Sequence, residues 1–116
     1  MYLLAAVANG QSIFHKNKVM LRPGYYVYIL TNFTRSVLYI GVTNDIHLRV
    51  LQHKNGEGSV FTSKYKCHYL LYFEEYFQIN EAIAREKQLK NWQRKWKDEL
   101  IKKENPDLKD IAANWY

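Results

Sequence analysis

The stretch YYVYILTNFTRSVLYIG, residues 25–41, decides the fold. Tyr25 to Leu30 is built of aromatic and branched residues behind a Pro23-Gly24 break, the composition of a strand. Side chains alternate along a strand, so Tyr26, Tyr28 and Leu30 share one face while Tyr25, Val27 and Ile29 share the other. TNFTRS (31–36) reads as a turn and VLYIG (37–41) as the returning strand. A hairpin centred midway along that turn sets Tyr28 directly across from Tyr39. Two phenols paired in this way are either sheet packing or the reactive pair of a phosphodiesterase.

Downstream, Thr43, Asn44 and Asp45 are good N-terminal caps, and Gly56 and Gly58 are good stops, which predicts a helix over about 45–55. Arg49 and His53 are four apart and therefore lie on one face of it. SVFTSKYK (59–66) reads as a polar, basic loop, and HYLLYFEEY (68–76) as a third, aromatic-rich strand. From Glu81 to about Lys103 the pattern predicts one long helix, with Ala82, Leu89, Trp92, Trp96 and Leu100 as its buried stripe. As a core residue, Trp96 would cost about 3–5 kcal/mol on truncation to alanine. Glu86 breaks the pattern, because this carboxylate sits on or beside the stripe. Asn105-Pro106 stops the helix. The expected architecture is α/β, in the α+β sense: a central three-stranded antiparallel sheet flanked by helices.

Composition narrows the function. The 116 residues are 47% hydrophobic, enough for one core in a single domain. The net charge of +6 and the pI near 9.4 suit a polyanionic partner, since lysine and arginine release counterions from phosphates. Ten Tyr, five Phe and three Trp exceed what so small a core needs, which places some of them at a contact surface. Lys54, Lys64 and Lys66, with Phe61 and Tyr65 among them, suit phosphates and exposed bases. The single cysteine, Cys67, excludes an internal disulfide and a paired-cysteine metal site, and fits a reducing cytoplasm. The opening MYLLAAVANG is too short to span a bilayer and lacks a positive leader, so no membrane role is expected. No helix-turn-helix, zinc finger or RNA-binding signature is present.

These residues together resemble the GIY-YIG nuclease superfamily, and in particular its small standalone bacterial-type members. YVYIL (26–30) stands at the first motif, so Tyr28 matches its tyrosine, and YIG (39–41) matches the second motif outright. Arg49 falls ten residues after Tyr39, where the family keeps an arginine, and His53 follows one turn later. AIAREKQLKNW (82–92) is similar to the family's helix bearing a metal-binding glutamate, which would be Glu86. The late asparagine matches Asn105, with Asn91 as second choice. The first motif reads Tyr-Val-Tyr in place of Gly-Ile-Tyr, and Val42 follows YIG where some repair members place lysine.

The resemblance implies a Mg²⁺-dependent endonuclease hydrolysing DNA, with Mn²⁺ as a substitute, acting on structured DNA in repair or recombination. Its site residues would be Tyr28, Tyr39, Arg49, His53, Glu86 and Asn105. Glu86 would hold the ion, Arg49 would clamp the phosphate, and Tyr39 would position water or phosphate. The general base is Tyr28 or His53. The boundaries implied are an N-terminal extension over 1–22, a nuclease domain over 23–106 and a C-terminal tail over 107–116. A nucleic-acid-binding module that keeps the fold with weak or no activity is the alternative, followed by an enzyme acting on RNA or small phosphodiesters.

Overall fold

A computed structural model describes residues 23–116, together with the backbone of two short paired strands, β1 (Val7–Ala8) and β2 (Gln11–Ser12). The rest of the expected 1–22 extension lies outside the described residues. Strands β3 (Tyr25–Thr31), β4 (Leu38–Thr43) and β5 (Tyr69–Tyr76) form an antiparallel sheet in the order β4-β3-β5, flanked by helices as expected. Val27, Tyr28, Ile29 and Leu30 of the central strand are all buried, because that strand is covered on both faces.

The hairpin register differs from the expectation. Tyr28 pairs with Gly41, and Tyr39 pairs with Leu30, two residues along from the predicted partner. Turn chemistry is the cause. Asn32 Oδ1 accepts from the backbone of Ser36 and Val37, Thr31 Oγ1 donates to the Val37 carbonyl, and Arg35 takes a left-handed φ of 61°. The loop therefore closes on Thr31 and Leu38. A two-residue shift preserves parity, so both phenols still share a face.

Helix α1 (Ile46–Lys54) begins where expected, with Asp45 Oδ1 accepting from the Leu48 amide. Residues expected as a loop instead form a second helix, α2 (Val60–Tyr65), capped by Ser59 and closed by Lys66 at a φ of 56°. The single long helix expected over 81–103 is two: α3 (Ile79–Asn91) and α4 (Arg94–Glu104). Trp92 and Gln93 adopt extended backbone between them, and the Arg85 guanidinium lies 5.1 Å from the centre of the Trp92 ring. The change of direction turns Ile101 into the core and leaves Trp96 47% exposed. Trp96 is thus not a core residue. Trp96→Ala is expected to cost no more than about 1 kcal/mol in a denaturant melt, well below the value for a buried tryptophan.

The two sheet faces are held differently. On the face of Tyr28 lie α1 and α2. On the other, buried Glu74 receives Arg85 of α3 and the hydroxyls of Tyr72 and Tyr76. Residues 107–116 run back onto the domain: Asp110 pairs with Lys54 at 2.6 Å and caps the Leu70 amide, while Trp115 stacks on His47. Lys54 is therefore engaged within the fold. No helix among the described residues is long and apolar enough to cross a membrane.

Candidate active site

The shared face brings Tyr28, Tyr39 and His53 together. Tyr28 Oη lies 2.9 Å from His53 Nε2, and His53 Nδ1 lies 2.8 Å from Thr62 Oγ1, which in turn lies 2.8 Å from Ser59 Oγ. The Tyr39 ring stands 5.4 Å from that of His53 and 6.2 Å from that of Tyr28. Tyr28 and His53 are sealed inside, whereas Tyr39 and Arg49 are half-buried and form the outward part of the group. Arg49 lies one turn before His53 on α1, donates to Gln52 Oε1, and acts electrostatically on both Tyr28 and His53.

Two glycines make this packing possible. A Cβ at Gly41 would stand 2.5 Å from Tyr28 Cζ and Oη, and one at Gly58 would stand 2.0 Å from His53 Nδ1. The glycine of YIG is therefore required by the close approach of the Tyr28 ring. Gly58, Ser59 and Thr62 escaped the sequence reading. Gly58 reads as a helix stop, and the Ser59-x-x-Thr62 spacing was the only sign of the cap that places Thr62 beside the imidazole.

Burial pushes the Tyr28 phenol up to about 12, against a downward pull from Arg49. Burial, then the charges of Arg49 and His68, lower His53 from 6.5 to about 4. His53 is therefore neutral at neutral pH, with one ring nitrogen donating and the other accepting. The shift has a consequence for stability. Between about pH 4 and 6.5 the unfolded chain binds a proton at His53 that the folded chain refuses, so folding is favoured above that window and weakened on acidification through it. The loss amounts to about 3 kcal/mol at most, and it is expected to vanish from the pH dependence of the unfolding free energy in His53→Gln.

Glu86 lies on α3, which packs against β3 and β4, and whose Arg85 reaches Glu74 on the sheet face opposite Tyr28. Its Oε2 accepts from Lys90 Nζ at 2.9 Å, and its side chain is 16% exposed. No other hydrogen bond engages it among the described residues, and none joins it to the Tyr28 group. Nor do three His, Cys, Asp or Glu side chains gather anywhere among those residues. A divalent ion would thus rest on one carboxylate, completed by water and substrate oxygens, an arrangement that suits Mg²⁺. Asn105 is buried and turned inward. Its Nδ2 donates to the carbonyls of Leu71 and Lys109, and its Oδ1 accepts from the Lys109 amide. Leu71 is the unpaired residue of an irregularity in the β3–β5 register, so Asn105 satisfies a carbonyl that the ladder leaves over. Asn91 ends α3 and is exposed.

This hairpin, with an arginine and a histidine on the helix behind it, defines a class. A model of the GIY-YIG catalytic domain matches residues 24–104, and the chain belongs to the GIY-YIG family, whose fold is of the nuclease type. Within it, the chain is 35% identical over 82 residues to a UPF0213 protein of Bacillus pumilus (strain SAFR-032), covering 71% of this chain and 83% of that one. A UPF0213 protein of Staphylococcus aureus (strain Mu3 / ATCC 700698) is 36% identical over 78 residues, covering 67% and 94%. The solution NMR structure of the UPF0213 protein BH0048 from Bacillus halodurans is 25% identical, covers 78% of this chain and 96% of that one, and has a TM-score of 0.49.

Proposed function

We propose that this protein is a divalent-metal-dependent endonuclease that hydrolyses phosphodiester bonds in DNA. The observation that carries the reading is the Tyr28–His53 pair, a buried phenol 2.9 Å from a neutral imidazole, set directly behind a half-buried phenol and guanidinium. A phenol within hydrogen-bond reach of an unprotonated imidazole is the geometry that proton transfer requires.

Each residue then has a task. Arg49 receives the scissile phosphate with its planar fork. Tyr39 is the phenol that meets the attacking water, because Tyr28 and His53 are closed off behind it. Tyr28 and His53, the two candidate bases, then work together as an inner proton acceptor, a role that suits their burial behind Tyr39. With Nδ1–H donated to Thr62, the unprotonated Nε2 accepts from Tyr28, and Tyr28 accepts in turn from the outer phenol or water. Burial chiefly lowers His53 and the charge of Arg49 lowers it further, so a phosphate bound on Arg49 offsets that second part and strengthens the imidazole as a base when substrate is present. Glu86 would hold a divalent cation, Mg²⁺ or its substitute Mn²⁺, which would supply Lewis-acid stabilisation of the phosphate charge. Structured DNA in repair or recombination, in the cytoplasm, is the setting that suits a basic domain without a base-reading element.

The test is incubation with supercoiled plasmid and branched DNA, with Mg²⁺ or Mn²⁺ and with chelator. Nicking that needs the metal and falls at least about a hundredfold in Glu86→Ala is expected. Binding without cleavage of either DNA under any metal would leave a module that holds nucleic acid without cutting it.

A further inference from the structure

Helix α2 has two unlike sides. Inward, Thr62 is fully buried and bonded to His53. Outward, Val60, Phe61 and Tyr65 are 87%, 40% and 41% exposed, which is more apolar surface than a six-residue helix needs for packing. The rings are ordered. Phe61 stands 5.8 Å from Tyr39, with planes 30° apart, and Tyr65 stands 4.6 Å beyond Phe61. Lys64 Nζ lies 5.2 Å from the centre of the Tyr65 ring, and Lys66 is exposed at the left-handed cap that ends the helix. An open hollow of about 580 Å³, lined in part by Ser59, Val60, Ser63 and Lys64, borders the same helix. A line of aromatic faces therefore leads outward from the half-buried phenol of the active site, with cations beside it.

We infer that Phe61 and Tyr65 form a stacking platform for unpaired nucleobases of the strand whose phosphate enters the Tyr39–Arg49 site. The inference rests on the nuclease reading and specifies its substrate: nucleic acid with a single-stranded segment next to the cut. Three features select that occupant. The platform continues from Tyr39; Lys64 beside the Tyr65 ring and Lys66 at the end of the same helix suit backbone phosphates; and aromatic faces accept any base without reading its edge. Bases within an intact duplex are stacked on each other and offer no free face to α2, so a flap, loop or frayed end is favoured.

The experiment compares two labelled single strands of equal length by fluorescence anisotropy, in chelator so that nothing is cut. One is oligothymidylate and the other carries abasic sugars throughout. The wild-type protein is expected to bind the base-bearing strand about tenfold or more tightly, and Phe61→Ala and Tyr65→Ala are each expected to bring that ratio toward one. Equal affinity of the wild type for the two strands overturns the platform, as does a ratio that survives both substitutions. Failure to bind either strand also overturns it, and assigns α2 to a protein or membrane partner. The two readings fail separately: plasmid cleavage with a ratio of one ends the platform alone, whereas base-dependent binding without cleavage ends the hydrolase reading alone.

Discussion

Arg49→Ala is expected to slow phosphodiester cleavage by at least about a hundredfold while the protein stays folded. The side chain is half-buried, and its hydrogen bond to Gln52 joins two partly exposed groups, so its removal strands no buried polar atom. What is lost is charge in the right place. The guanidinium pulls the Tyr28 phenol down from a still higher value and adds to the burial that chiefly lowers His53, so without it both groups rise. Titration of the imidazole followed by NMR reads this directly, and should move back toward the usual 6.5 whether or not the variant cuts DNA. Arg49→Lys restores positive charge without the planar fork, and is expected to recover only part of the rate. Full activity in Arg49→Ala would remove this residue from the chemistry.

The largest effect on stability is expected from Gly58→Ala. The new Cβ would stand 2.0 Å from Nδ1 of an imidazole that is fully buried and pinned at both nitrogens. The ring is held between Tyr28 and Thr62, so it can move only by giving up those bonds. Overpacking of this kind costs about 1–3 kcal/mol or more, and each buried group left without a partner adds about 1–3 kcal/mol. A fall in melting temperature of about 10 °C or more should follow, together with loss of cleavage. Emptying the space identifies the cause: His53→Ala combined with Gly58→Ala should be clearly less destabilised than the sum of the two single changes. Gly24→Ala, where an added Cβ meets nothing within 4 Å, is the control.

Local chemistry was legible in the sequence wherever one element determined it. Aromatic and branched composition placed β3 and β5, the Asp45 cap placed α1, and the parity of strands put both phenols on one face despite a register displaced by two residues. That displacement came from the Asn32 side chain, whose bonds across the loop are not visible in a count of residues. The break between α3 and α4 carries no proline or glycine, so periodicity ran straight through it and assigned Trp96 to a core that Ile101 occupies. Helix α2 is too short to show a period. In the site, the motif spacings identified Tyr28, Tyr39, Arg49 and His53, which the fold gathers. Gly58 and Thr62 join them only through tertiary contact. The buried carbonyl that occupies Asn105 belongs to a strand irregularity with no signature of its own.

For cleavage to follow, the Glu86 carboxylate must serve the same phosphate as the phenols and the guanidinium. Anomalous diffraction from a crystal soaked in Mn²⁺ tests this without any assumption about substrate. The expected result is one ion ligated by Glu86 on the side of Tyr39 and Arg49, with Lys90 drawn away from the carboxylate. An ion bound elsewhere, with Glu86 still paired to Lys90, would contradict it.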